Sequence, residues 1–125
     1  MDFAQMVSQL GNCRYSECAF SLLAGHEILA FEGESDYQGS ASVLARRTGA
    51  VEGFYEYIYV AWSWGSCSGC DQWEDQNLSA DQIIEEMRKT AGFFETLAQV
   101  VAFITPMLHN VGEGTYKSWL KGAVS

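Results

Sequence analysis

Cys67 and Cys70, separated by one serine and one glycine, form the strongest chemical motif of the chain. A Cys-x-x-Cys pair can grip one tetrahedral metal ion with two thiolates. It can also cycle between dithiol and disulfide, provided that one thiol has a lowered pKa. Finally, it can lie in a tight Gly/Ser turn as two small apolar side chains. The pattern alone leaves all three interpretations open.

A zinc site needs about four ligands, so Cys67 and Cys70 would require further partners. Cys13 and Cys18 form a second, looser pair, and His26 is a further candidate. A site built from all four cysteines would join the N-terminal region to the end of the sheet. Because the spacing of the first pair is wider than in a usual zinc knuckle, we expect no cofactor, with structural zinc as the alternative.

Redox or other catalytic chemistry has weaker support. Asp71, Glu74 and Asp75 follow the Cys-x-x-Cys pair, and nearby carboxylates raise a thiol pKa. His26 and His109 lie far apart and in no catalytic motif, and the sequence has no phosphate-binding glycine loop. We therefore expect free thiols in a turn and a protein that is not an enzyme, with a small thiol redox protein or enzyme as a further alternative.

The charge balance indicates the kind of partner. Sixteen acidic residues face seven Lys and Arg, which gives a net charge of −9. This field repels nucleic acid and anionic lipid and favours a basic protein surface. The candidate contact residues form an acidic stretch around one aromatic residue: Asp71, Trp73, Glu74, Asp75, Asp81, Glu85 and Glu86.

An aromatic anchor among carboxylates suits a basic groove on a partner protein. A simpler interpretation also accounts for this acidic stretch. It can be a solvated loop followed by a helix start, where carboxylates complement the helix dipole. High negative charge can likewise serve solubility alone.

The elements that must position these residues indicate a single α+β domain over residues 1–125. Strands are predicted over 26–32, 40–47 and 52–64, where branched and aromatic residues concentrate. Short connections favour a three-stranded antiparallel meander, with the third strand central and helices on one side. On that strand Tyr55, Tyr57 and Tyr59 alternate, so they are predicted to share one face.

The helices are predicted on both sides of these strands. Ser79 and Gln82 form a capping-box pattern, and helical apolar spacing continues beyond it. This predicts a long C-terminal helix over 79–109 against the meander, loosened at Gly92 and bent or broken at Pro106. Short N-terminal helices are expected over 2–10 and 16–23, and a short final helix or tail over 118–121, anchored by Trp119. An early acid and the lack of a long apolar run favour the cytoplasm.

Residues 31–90 resemble small uncharacterised proteins of bacteriophages and mobile elements. The resemblance lies in Phe31-Glu32, in the turn Asp36-Tyr37-Gln38-Gly39, and in Trp64-Gly65-Ser66-Cys67-Ser68-Gly69-Cys70-Asp71. Trp64 stands where a tyrosine is usual in those proteins. The N-terminal segment and the tail over 112–125 fall outside the resemblance.

This resemblance implies a context rather than a reaction. Small acidic phage proteins that are not enzymes are often inhibitors of the host's nucleic-acid machinery, as the anti-CRISPR and anti-restriction proteins are. The expectation is an inhibitor in the host bacterial cytosol. It would bind the basic surface of a CRISPR effector or nuclease, without direct contact to nucleic acid or membrane. The oligomeric state is left open.

Overall fold

The computed structural model describes residues 14–33, 39–49, 53–64, 79–107 and 116–123. Helices and strands are mixed along this part of the chain, which confirms the predicted α+β class. The predicted N-terminal helix over 2–10 lies outside the described residues. In chain order, the elements are α1 (Arg14–Leu22), β1 (His26–Gly33), β2 (Gly39–Arg47), β3 (Tyr57–Trp64), α2 (Ala80–Thr90), β4 (Gly92–Phe94), α3 (Leu97–Met107) and α4 (Tyr116–Ala123).

The described strands form one antiparallel sheet in the order β1-β2-β3-β4. The meander was predicted correctly, but its strand count was wrong, because a fourth strand follows α2. β4 pairs with the start of β3, with Tyr57 opposite Phe94 and Tyr59 opposite Gly92. β3 itself begins at Tyr57, later than the predicted start at residue 52.

Helix α2 begins as the sequence predicts. The Ser79 hydroxyl accepts from the Gln82 amide at 3.3 Å, and the Gln82 side chain accepts from the Ser79 amide at 2.8 Å. The helix ends at Thr90, and Ala91 is already extended, with φ −67° and ψ 150°.

The predicted helix over 79–109 is therefore wrong: it is two helices separated by β4. Phe93 packs against the core on one face of the sheet and Phe94 against the core on the other. Successive residues of a strand can reach opposite faces, whereas a helix would place both rings on neighbouring sides of one cylinder.

Helix α3 has its own capping box, which the sequence analysis missed. The Gln99 amide donates to the Thr96 hydroxyl, and the Gln99 side chain accepts from the Thr96 amide, both at 3.3 Å. Together these bonds satisfy the donors that a helix start leaves open. Pro106 lies in the last turn of α3, which ends at Met107.

Both faces of the sheet are covered, so the prediction of helices on one side was wrong. The first cluster lies between the sheet and helices α1 and α2; its buried members include Ala19, Leu23, Ile28, Val43, Val60, Trp62, Ile83 and Met87. The second lies between the sheet and helices α3 and α4, and consists of Ala30, Leu44, Val100, Ile104 and Tyr116. Alternation along β2 and β3 sends side chains into both clusters.

Helix α4 is longer than the predicted 118–121 and begins at Tyr116. Tyr116, only 1% exposed, is the buried anchor of this helix, while the expected anchor Trp119 is partly buried. No helix in the described part of the chain is both long and apolar enough to cross a membrane.

Candidate functional site

Helix α2 carries the described part of the predicted acidic contact set. Asp81 and Glu85 lie four residues apart, so they share one side of the helix. Together with Gln82, Glu86 and Lys89 they line a shallow surface depression. We call this set of five residues the α2 surface. The remaining predicted contacts, Asp71, Trp73, Glu74 and Asp75, lie outside the described residues.

Two of the three acids on the α2 surface form ion pairs within the helix. Glu85 pairs with Arg88, and Glu86 pairs with Lys89 at 3.6 Å, each three residues on. Glu85, Arg88 and Lys89 are exposed and Glu86 is partly buried, and ion pairs at the surface contribute only about 0 to 1 kcal/mol. A basic partner can therefore compete for both carboxylates at little cost.

Of the four predicted zinc ligands, only Cys18 lies among the described residues with its surroundings defined. Its side chain is buried in the first core cluster, and its Sγ lies 3.8 Å from the Ala80 carbonyl oxygen. Within the described residues, no group of three or more His, Cys, Asp or Glu side chains is placed to hold a metal ion. Cys13, Cys67 and Cys70 lie outside them, so zinc binding stays a prediction.

His26 joins the start of β1 to the segment before β3. It is 8% exposed, with Nδ1 3.2 Å from the Ala24 carbonyl oxygen and Nε2 2.9 Å from the Tyr55 hydroxyl. Because a carbonyl oxygen can only accept, Nδ1 donates to Ala24, while Nε2 forms the hydrogen bond with the Tyr55 hydroxyl. The ring is thus engaged on both nitrogens, which is a structural role.

The three alternating tyrosines do not share a face, so that prediction was wrong. Tyr57 and Tyr59 pack against the second core cluster, whereas Tyr55 packs against the first. Tyr55 precedes β3, in a stretch where the chain bends at Phe54 and Glu56, and the strand alternation does not extend through it. Tyr57 and Tyr59 line a covered face and offer no stacking platform.

A polar cluster lies inside the second core. The Tyr116 hydroxyl donates to the Ser42 hydroxyl at 2.8 Å. Tyr59 also bonds to Ser42, and Glu32 lies opposite Ser42 in the β1–β2 register. Burial raises the pKa of Tyr59 and raises that of Tyr116 well above its usual value; the negative charge of Glu32 adds to both shifts.

The Tyr116 hydroxyl keeps its proton at neutral pH, and it serves as the hydrogen-bond donor to Ser42. This cluster was not predicted from the sequence. The available signal was weak: Ser42 is a polar residue in the middle of an apolar strand, and its partner in the chain lies 74 residues away.

An exposed aromatic residue before β3 was likewise not predicted from the sequence. Phe54 is 75% exposed, and its ring lies 5.7 Å from that of Tyr55 and 5.5 Å from that of Phe93. Many aromatic residues surround Phe54 in the sequence, and residue type alone does not show which of them is exposed. The one local signal for exposure was the position of Phe54 before the strand.

Comparison with known proteins adds no relative. No protein-family model matches the chain, and neither a curated protein nor a solved structure is significantly similar to it.

Proposed function

We propose that this protein is a small acidic inhibitor that binds a basic surface of a host nucleic-acid-handling protein. The observation that carries the proposal is the net charge of −9, together with the exposed carboxylates of Asp81 and Glu85 on one side of α2. A surface that normally holds DNA or RNA is rich in Lys and Arg, and it attracts such a protein over long distances.

The local arrangement supports binding in place of catalysis. The capping box at Ser79 anchors the start of α2, so Asp81 is presented from a fixed first turn. Buried Ile83 and Met87 hold the opposite side of the helix against the sheet. A rigid element that presents charges loses little conformational freedom on binding.

The contact set of the proposal extends beyond α2. Asp71, Trp73, Glu74 and Asp75 precede this helix in the chain and would supply an aromatic anchor with further carboxylates. The resemblance to phage proteins suggests anti-CRISPR or anti-restriction inhibition in the host cytosol. In this role the protein would occupy the nucleic-acid channel and would not itself bind nucleic acid.

The test uses purified RNA-guided nucleases and restriction endonucleases, with DNA cleavage as the readout. The protein should block cleavage by preventing the enzyme from binding DNA, and its inhibition should weaken as salt rises. The variant Asp81→Asn/Glu85→Gln/Glu86→Gln should raise the inhibitory concentration at least about tenfold and flatten the salt dependence.

Two single variants separate a local contact from the general charge. Asp81→Asn and Glu27→Gln each remove one exposed carboxylate, the first from α2 and the second from β1. Asp81→Asn should impair inhibition more than Glu27→Gln. Equal effects would rule out α2 as the contact surface, and a triple variant that inhibits like the wild type would refute charge mimicry.

A further inference from the structure

Phe54 presents a large apolar side chain to solvent from a rigid support. Its ring contacts Tyr55 and Phe93, and the rings of Tyr55 and Phe93 lie 4.9 Å apart. Tyr55 is held in turn by its hydrogen bond to His26. Exposed aromatic residues on a firm aromatic base are typical anchors of protein interfaces.

The backbone at Glu56, two residues after Phe54, is fixed from both neighbouring strands. The Arg47 amide donates to the Glu56 carbonyl at 2.8 Å, and the Glu56 amide donates to the Phe94 carbonyl at 2.9 Å. The ion pair between Arg46 and Glu56, with N···O 2.8 Å, adds a side-chain link to β2. The Phe54 segment thus lies between the end of β2 and the end of β4.

Opposite charges flank this segment. On the β2 side, the Arg47 guanidinium carbon lies 5.9 Å from the centre of the Tyr55 ring. On the β4 side, the next residue after the strand is the exposed Glu95. We call Phe54, Tyr55, Phe93, Arg47 and Glu95 the Phe54 surface: an apolar centre with a cation on one side and an anion on the other.

A surface of this kind is complementary to itself. A two-fold axis through Phe54 exchanges the β2 side of one copy with the β4 side of the other. In this arrangement Arg47 of each copy would face Glu95 of the second copy, and the two Phe54 rings would meet at the axis. Isologous contacts of this type close after two subunits.

We propose that the Phe54 surface binds a second copy of this chain as a two-fold symmetric dimer. This dimer is independent of the inhibitor function, since none of its residues belongs to the α2 surface. The net charge of −9 opposes association of two copies, so the dimer needs enough salt to screen the long-range repulsion. At about 0.15 M salt the screening length is about 8 Å, which leaves the close Arg47–Glu95 pairs effective.

Sedimentation equilibrium of the full chain, from about 10 µM to about 1 mM at this salt, measures the dimer directly. The wild type should shift from monomer to dimer across this range. Phe54→Ser should weaken dimerisation at least about tenfold, because it removes the apolar centre. A wild type that stays monomeric throughout, or a Phe54→Ser variant that dimerises equally, overturns the proposal.

Charge reversal tests the geometry. Glu95→Arg and Arg47→Glu each create like-charge contacts across the axis, so each variant alone should remain monomeric. Mixed in equal amounts, the two variants should form a heterodimer, in which both contacts are attractive again. Failure of the mixture to associate, with both variants folded, would contradict the proposed orientation.

Two controls keep the result interpretable. Glu27→Arg changes the net charge as much as Glu95→Arg does, but at an exposed side chain of β1, and it should leave dimerisation intact. Because the Arg47 side chain also donates to the Tyr55 carbonyl, a thermal melt must show that Arg47→Glu is folded. If it is not, Phe54→Ser and Glu95→Arg, measured against Glu27→Arg, decide the question alone.

Discussion

Tyr116 in helix α4 donates a hydrogen bond to Ser42 in strand β2 over 2.8 Å, although 74 residues separate them in the chain. This bond ties the last described helix to the middle of the sheet. It lies in the second core cluster, beside Tyr59 and Glu32. This buried hydrogen bond thus adds to the packing of Trp119 and Leu120 in holding α4 on the sheet.

Replacing Tyr116 with Phe should destabilise the protein by about 1 kcal/mol, because the Ser42 hydroxyl loses a buried partner while the ring is kept. Urea unfolding followed by circular dichroism measures the change. Tyr57→Phe is the matched control, since Tyr57 is only partly buried against the same cluster. It should shift stability by less than half as much, and equal losses would argue against a special role for Tyr116.

Stability should fall at alkaline pH. The pKa values of Tyr59 and Tyr116 are raised in the folded chain above the usual value of 10.0, chiefly by burial. Below pH 10 both the folded and the unfolded chain keep the two phenol protons, so these tyrosines contribute fully to the free energy of unfolding. Above this pH, the unfolded chain releases protons first, so the free energy of unfolding falls as pH rises towards the folded pKa values.

Urea unfolding at a series of pH values from about 8 to about 11.5 measures this loss. Tyr116→Phe should show a shallower decline than the wild type, since one of the two tyrosines no longer titrates. Parallel declines in the two proteins would mean that other groups cause the pH dependence.

Gly92 distinguishes the observed β4 from the long helix that the sequence suggests. A Cβ at this position would lie 3.1 Å from the Phe94 ring, so that this ring, whose centre lies 5.1 Å from that of Phe103, would have to shift. Gly92→Ala should therefore destabilise the protein by about 1 kcal/mol. In a continuous helix the same change would stabilise it.

Gly122, in helix α4, provides the matched control because a Cβ there would meet nothing within 4 Å. Gly122→Ala should stabilise the protein by about 0.5 to 1 kcal/mol, measured by the same urea unfolding. Stabilisation by both substitutions would indicate a helix through Gly92.

Native mass spectrometry of protein made in zinc-supplied cells and purified without chelator tests the cysteines. We expect the mass of the bare chain, because Cys18 is buried in an apolar cluster and Cys13 and Cys18 are loosely spaced. One bound zinc per chain, lost in Cys67→Ser/Cys70→Ser, would instead support the zinc-stapled module. In that case a chelator should also abolish cooperative unfolding.

Features of the fold that depend on residues close together in the chain could be predicted from the sequence. The capping box of Ser79 and Gln82 is formed by residues three apart, and the pattern alone was sufficient to place the start of α2. The Thr96 and Gln99 pair carries the same pattern and could have shown that a helix begins there, but continuous apolar spacing concealed it. The meander of β1, β2 and β3 followed from the concentration of branched and aromatic residues and from short connections.

The remaining features depend on contacts between distant residues. Phe93 and Phe94 form a strand because two separate core clusters receive their rings, and helical spacing contains no information about those clusters. Tyr55 leaves the face of Tyr57 because His26 and Phe93 hold it on the other side. For the candidate site, the sequence indicated Asp81, Glu85 and Glu86, while their pairing and the exposure of Phe54 required the structure.

The order of the strands in the sheet is also their order in the chain. β1, β2 and β3 can therefore assemble by successive hairpin closures, each of which spans only a short loop and loses little chain entropy. β4 can join only after the chain has returned from α2. We therefore expect the first three strands to pair early in folding, and β4 (Gly92–Phe94) to pair with β3 in a late step.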